Sequence, residues 1–86
     1  MYTLEIKEEL EKSLRKLAKK DKKLYEAITK KILQIAENPA IGKPLRNVLK
    51  GKKRIHIGHF VLIFSVDDKE NKVTFHEFEH HDNAYG

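Results

Sequence analysis

The segment KRIHIGHFVLIFSV, residues 53–66, decides the fold of this 86-residue chain. Its first five residues alternate between polar and apolar side chains, as a strand with one buried face does. Ile55 and Ile57 therefore lie on one side of the strand, and Arg54 and His56 lie on the other. The alternation predicts that the strand buries its isoleucines and presents Arg54 and His56 away from the core.

The remainder of the segment predicts a hairpin partner for this strand. Gly58-His59 has the length of a two-residue turn, and glycine suits the first position of a type II′ turn. Residues 60–66 are almost wholly apolar, which is typical of a central strand that is buried on both faces. A polar turn at 67–71 then leads to a last strand at 72–79. Three consecutive antiparallel strands are expected.

The alternation slips within the last of these strands. In a regular strand, Val73 and Phe75 share one face and Phe78 lies on the other. A β-bulge would bring the three apolar side chains to the same face, and an exposed second apolar face would also explain the pattern.

The amino-terminal half predicts one strand and two helices. Residues 2–6 alternate as a short strand, and a helical period runs from Lys7 to a basic last turn near Lys20. Asp21 stands where an N-cap belongs, and Asn38-Pro39 ends the second helix. The apolar stripes consist of Leu10, Leu14, Leu17 and Ala18 in the first helix, and Leu24, Tyr25, Ile28, Ile32, Ile35 and Ala36 in the second.

These elements predict an α+β fold in a single domain, residues 1–86, with the element order β-α-α-β-β-β. An antiparallel-rich sheet of about four strands should carry the antiparallel helix hairpin on one face. The other face is then left for Arg54 and His56. Residues 39–52, which contain two prolines, are expected to form a basic loop with a short helical turn at 45–49.

Charge is concentrated in one part of the chain. Residues 38–66 contain no Asp or Glu and carry six cations, so this window has a charge of +6. The whole chain has a net charge of +5, and the remaining residues therefore sum to −1. Such an imbalance is typical of a surface that binds a polyanion such as RNA. The six cations are Lys43, Arg46, Lys50, Lys52, Lys53 and Arg54, and His56 and His59 follow closely.

Composition excludes several other classes of protein. The chain has no cysteine, which excludes disulfides, thiolate catalysis and cysteine zinc sites. No apolar run approaches the roughly 20 residues of a membrane span. Residues 1–11 lack the layout of a signal peptide, so a cytoplasmic location without membrane association is expected.

The five histidines, all between His56 and His81, offer two kinds of chemistry. They show no metal-ligand spacing such as HExxH, so no cofactor is expected. RNA cleavage without metal uses the 2′-hydroxyl as nucleophile and needs cations, a base and an acid. The sequence offers cations at 52–54, proton carriers at His56 and His81, and an aromatic ring at Tyr85 that can stack on a base.

Two segments carry a resemblance to a known family. Residues 54–64 read RIHIGHFVLIF, and residues 80–85 read HHDNAY. These segments follow a helix hairpin and a basic loop, and together they resemble the RelE/ParE toxin superfamily. In that superfamily the β-hairpin reads approximately R-I-R-x-G-x-Y-R-x-I-Y and the tail reads approximately H-R-x-x-x-Y. The resemblance covers nearly the whole chain in element order, with its motifs in the carboxyl-terminal third.

The resemblance implies a toxin of a toxin–antitoxin pair. RelE-type members are ribosome-dependent mRNA endonucleases, held inactive by an antitoxin that is encoded beside them. The implied partners are a small, acidic, RelB-like antitoxin, the ribosome and mRNA. ParE-type members instead poison DNA gyrase and lack the cleavage residues. A catalytically degenerate module that binds RNA or antitoxin is a third alternative.

Residue by residue, the resemblance assigns roles to the hairpin and the tail. Arg54 and His56 match basic residues of the second strand, His81 matches the catalytic arginine of the tail, and Tyr85 matches its tyrosine. Val61 departs from the pattern, since the family commonly has arginine there. His81 also departs from it, because histidine lacks the permanent charge but can give or take a proton.

These matches define an expected site. His56 is the candidate base or transition-state stabiliser, His81 is the candidate acid, and Tyr85 orients the base or the 2′-hydroxyl. Lys52, Lys53 and Arg54 are expected to bind phosphate. Further RNA contacts are expected from Lys43, Arg46, Lys50 and His59.

Overall fold

The computed structural model of the chain describes residues 1–44 and 51–80. The predicted helical turn at 45–49 and the tail from residue 81 onward lie outside this part. The described elements are β1 (Thr3–Ile6), α1 (Glu8–Lys20), α2 (Lys22–Glu37), a 3-10 helix (Pro39–Ile41), β2 (Lys43–Pro44), β3 (Lys52–Ile57), β4 (Phe60–Asp67) and β5 (Lys72–His80). No helix in the described part is long and apolar enough to cross a membrane.

The two helices begin and end where the sequence predicts. Glutamates occupy the first turn of α1 and lysines its last turn, which suits the two ends of the helix dipole. Asp21 alone separates α1 from α2, and its side chain accepts a hydrogen bond of 3.1 Å from the Leu24 backbone N–H. This confirms the predicted N-cap. The last helical residue of α2 is Glu37, directly before Asn38-Pro39.

The five described strands form one sheet in the order β1-β5-β4-β3-β2. β1 runs parallel to β5, and the other pairs are antiparallel. The predicted α+β class is confirmed, and β2 is an addition to the four predicted strands. It has two residues, so it carries no alternation that sequence analysis can detect. It pairs Lys43 with Arg54 and Pro44 with Lys53 at the edge of the sheet.

The turn between β3 and β4 has the expected geometry. Gly58 has φ +61°, and among the described non-glycine residues Asn71 alone has positive φ. A positive φ at the first turn position but not at the second is the signature of type II′. The predicted turn is therefore confirmed.

A β-bulge interrupts the pairing of β4 with β5. Phe64 pairs with Phe75, but the preceding residue Ile63 pairs with Glu77, so His76 is an extra residue in β5. The extra residue returns Phe78 to the side of the helices, where it packs against the core. The bulge thus explains the slipped alternation, and no second apolar face of β5 is needed.

The core lies between the helix hairpin and one face of the sheet. β4 is buried on both faces, as predicted, because Val61 and Ile63 on the side away from the helices are 0% and 2% exposed. The core cluster contains Leu10, Leu14, Ile28, Ile32, Ile35, Ile57, Leu62, Phe64, Val73 and Phe75. We call the opposite side of the sheet, which carries Arg54 and His56 on β3, the helix-free face.

Gly42, directly before β2, packs closely against Phe64 and the backbone of Arg54. A Cβ atom added at Gly42 would lie 2.8 Å from Cε1 of the buried Phe64 ring and 3.2 Å from the Arg54 carbonyl oxygen. We predict that Gly42→Ala lowers the free energy of unfolding by about 1–3 kcal/mol, the usual cost of overpacking. Urea unfolding measures this. In a Gly42→Ala/Phe64→Leu double variant, the loss of free energy of unfolding should be smaller than the sum of the losses in the two single variants. Strictly additive losses would contradict the proposed clash.

Candidate nucleic-acid interface

Three rows of residues cross β3, β4 and β5 in register. Residues directly opposite in antiparallel strands point to the same side of the sheet, so each row lies together on the helix-free face. The rows are His56 with Val61 and Glu79, Arg54 with Ile63 and Glu77, and Lys52 with Ser65 and Thr74. The prediction that Arg54 and His56 share the face opposite the helices is confirmed.

The rows separate charge across the sheet. Lys52 and Arg54 make the β3 side basic, and Glu77 and Glu79 make the β5 side acidic. Two strand spacings of about 4.8 Å place these sides roughly 10 Å apart at the backbone. The first two rows have buried apolar residues between them. A polyanion is therefore attracted along β3 and repelled from this part of β5.

Ser65 in the row of Lys52 is hydrogen-bonded to the bulge residue His76. Ser65 Oγ lies 2.7 Å from His76 Nε2, and the bulge presents the half-buried imidazole to this contact. Burial lowers the pKa of His76 below its ordinary value of 6.5, and the positive charges of Lys52 and Lys7 lower it further. The imidazole is consequently neutral at neutral pH and can accept a proton.

Two predicted contacts lie away from these rows. Lys53 pairs with the core residue Phe64, so it faces the helices, and its ammonium donates a hydrogen bond of 3.2 Å to the Pro39 carbonyl. His59 lies exposed in the hairpin turn, where its ring stacks on that of His80 with centroids 6.4 Å apart. The fold therefore brings together Lys52, Arg54 and His56 and separates Lys53 and His59 from them.

The other predicted site residues have less structural description. Lys43 belongs to β2 and pairs through its backbone with Arg54. Arg46, Lys50, His81 and Tyr85 lie outside the described residues. Within residues 1–44 and 51–80, no group of three or more His, Asp or Glu side chains is placed to hold a metal ion.

The RNA chemistry predicted from the sequence includes no role for His76. A regular strand would already place its side chain on the side opposite to Phe75. The slip between Phe75 and Phe78 was the signal that the register of His76 with β4 is altered. Bulges are frequent beside active sites because they re-aim a side chain.

Comparison with known proteins places the chain in a family. A family model described as the ParE toxin of the type II toxin–antitoxin system parDE matches residues 4–85. The chain is also 49% identical over 86 residues to a Methanocaldococcus jannaschii protein named "Putative toxin RelE4", covering 99% of this chain and 92% of the relative.

Solved structures agree with this placement. A chain of the Mycobacterium tuberculosis toxin–antitoxin complex RelBE2 matches with a TM-score of 0.80 and 25% identity, covering 92% of this chain and 96% of that one. The isolated Escherichia coli RelE toxin matches with a TM-score of 0.78 and 25% identity, and the match covers 93% of this chain and 84% of that one. Fold and sequence together define a toxin of a type II toxin–antitoxin system. The chain belongs to the ParE toxin family of the RelE/ParE superfamily, which confirms the resemblance.

The lowered pKa of His76 makes stability depend on pH. The unfolded chain takes up a proton at this position near pH 6.5, before the folded chain does. We predict that the free energy of unfolding decreases as the pH falls below about 6.5, until the lower pKa of the folded state is reached. Urea unfolding between pH 7.5 and 5 measures the decrease, which His76→Asn should reduce. If His59→Asn reduced the pH dependence equally, the effect would be a general consequence of removing a histidine and would not be specific to His76.

Proposed function

We propose that this toxin is a ribosome-dependent mRNA endoribonuclease. The observation that carries the proposal is the alignment of Lys52, Arg54 and His56 on the helix-free face of β3, where alternate residues share one side. Two cations and an imidazole in one line suit a single-stranded RNA backbone. The match to the E. coli RelE toxin, at 25% identity over 93% of this chain, supports the same assignment.

The chemistry that we propose uses no metal. Lys52 and Arg54 hold the phosphate and stabilise the charge that develops on it, as preorganised cations do. His56 is the base or a transition-state stabiliser. His81 supplies the proton of the leaving oxygen, and Tyr85 orients the base or the 2′-hydroxyl, as the family resemblance implies. A ribosome-dependent reaction of this kind would take place in the cytoplasm, where ribosomes translate mRNA.

A cognate antitoxin is the proposed partner that controls the activity. The structurally similar M. tuberculosis chain comes from a toxin–antitoxin complex. A small, acidic, RelB-like protein would neutralise the basic window at 38–66 and lay an amphipathic segment on an apolar surface of the toxin. Charge complementarity of this kind favours rapid association and excludes unsuitable partners.

Gyrase poisoning is the second candidate function. It is favoured by one specific observation, since the matching family model describes a ParE toxin. A gyrase supercoiling assay with the purified toxin separates the two activities. A toxin that neither cuts mRNA nor inhibits gyrase, yet binds RNA or antitoxin, would be the catalytically degenerate module.

We predict ribosome-dependent cuts in mRNA that depend on Arg54 and His81. Arg54→Ala should lower the cleavage rate by about 10²–10³-fold, because it removes a cation from the reacting phosphate. His81→Ala should lower it by about 10²–10⁴-fold if His81 transfers a proton. Primer extension in a translating archaeal extract measures both, and this extract is chosen because M. jannaschii is archaeal.

The control variant is Lys30→Ala, which removes an exposed cation of α2 without touching the sheet. It should cut like the wild type. A message carrying 2′-deoxyribose at the cut position should resist cleavage, since it lacks the nucleophile. Absence of cuts by folded wild-type toxin would refute the endoribonuclease assignment and favour gyrase or simple binding.

The salt dependence of binding provides a separate prediction. If Lys52 contacts one RNA phosphate, Lys52→Ala should weaken binding to single-stranded RNA and flatten the plot of log K against log salt by about 0.7. Fluorescence anisotropy over a range of salt concentrations measures this slope. Lys30→Ala should keep the wild-type slope, and an equal change in both variants would show a general effect of net charge.

A further inference from the structure

The bulge residue His76 is held in a defined orientation on the helix-free face. As the extra residue of β5, it has no partner in the register of β4, and its imidazole instead lies 2.7 Å from Ser65 Oγ. Ser65 belongs to the same row as Lys52. The bulge therefore brings an imidazole to the end of the basic line formed by β3.

The surroundings of His76 are polar and carry both signs of charge. A pocket of about 390 Å³ adjoins the imidazole, with Lys52 on one side and the start of α1 on the other. The carboxylate of Glu5 is already paired with Lys72 at 3.2 Å. The charged groups that act on His76 or line the pockets beside it are Lys52 from β3, Glu5 from β1, Lys7, Glu8 and Glu9 from the start of α1, and Glu77 and Glu79 from β5.

We propose that His76, oriented by Ser65, is the general base of the RNA cleavage proposed above. The inference rests on that proposed function and names a catalytic residue that the family pattern does not supply. Lys52 and Lys7, whose charges act on the imidazole, would draw a phosphate to its side. The 2′-hydroxyl beside that phosphate then lies within reach of a neutral ring nitrogen.

The role of Ser65 is to fix the state of the ring. When Ser65 Oγ accepts the Nε2–H, the lone pair of Nδ1 is left to act as the base. Nδ1 takes the 2′-hydroxyl proton, the 2′ oxygen bonds to phosphorus, and the bond from phosphorus to the 5′ oxygen breaks. The leaving oxygen takes its proton from the general acid of the proposed function. The proton held by the imidazolium then passes through water to that acid, which restores both groups. The products are a 2′,3′-cyclic phosphate and a 5′-hydroxyl.

His76 is better placed for this role than His56. His56 is exposed and lies two rows from Lys52, which corresponds to about 13 Å along β3. The two imidazoles therefore serve different nucleotides. With His76 as the base, His56 is left as the transition-state stabiliser or as a contact for a neighbouring phosphate.

The test is single-turnover cleavage on ribosomes carrying a defined message, measured from pH 5.5 to 8. The wild-type rate should fall in acid as the base becomes protonated. His76→Asn should lower the rate at pH 7.5 by about 10²–10⁴-fold and remove the acid decline. His56→Asn, the comparison variant, should lower the rate but keep the decline. Thermal unfolding establishes that each variant is folded.

Ser65 provides a test of orientation. Ser65→Ala should lower the cleavage rate on bound ribosomes with little change in ribosome affinity, and Ser65→Thr, which restores a hydroxyl, should recover most of the loss. A purely structural role would not produce this pattern in folded variants.

The outcomes separate the inference from the function on which it rests. If wild-type toxin cuts and folded His76→Asn cuts at the same rate with the same acid decline, His76 is not the base and the endoribonuclease assignment stands. Loss of the decline in His56→Asn but not in His76→Asn would overturn the inference in favour of His56. Wild-type toxin that makes no cuts would overturn both.

Discussion

The extra residue in β5 is the constraint on which the rest of the sheet depends. Side chains alternate with a period of two, so one inserted residue exchanges the faces of all residues beyond it. Phe75 precedes His76 and Phe78 follows it, yet both rings pack on the helix side. In a regular strand, one ring would leave the core and forfeit about 1.5–3 kcal/mol of burial. Glu77 and Glu79 would then turn toward the helices, where an unpaired carboxylate is costly.

In the proposed function, the same register determines where RNA would lie. A phosphate backbone that crossed from β3 to β5 in the first two rows would approach Glu77 and Glu79, whereas a backbone along β3 meets Lys52 and Arg54. The row of Lys52 differs, because its β5 member is Thr74 and the adjacent carboxylate of Glu5 is paired with Lys72. Across β3, β4 and β5 the row of Lys52 therefore presents no carboxylate, unlike the first two rows.

Most of the fold was predictable from the sequence because the signals for it are local. The II′ turn at Gly58, the cap at Asp21 and the alternation of β3 each depend on neighbouring residues. The parallel pairing of β1 with β5 joins segments about 70 residues apart, and no local pattern encodes it. The site was harder to predict. Alternation itself places Lys53 beside Ile55 on the helix side, but charge grouped it with Arg54. The sequence predicted the bulge as one of two alternatives. The contact of His76 with Ser65 could be recognised only from the pairing of β4 with β5.

The middle strand shows why the proposed catalysis depends on residues of its neighbours. Where the superfamily commonly has arginine, Val61 is 0% exposed, and Ile63 in the next row is 2% exposed. β4 therefore offers no cation to a phosphate in these rows, and its polar residues on this face are Ser65 and Asp67. In the proposed mechanism, charge stabilisation therefore comes from β3, and proton transfer comes from imidazoles outside β4. A histidine that the bulge fixes beside Ser65 offers a general base, which a guanidinium cannot be at neutral pH.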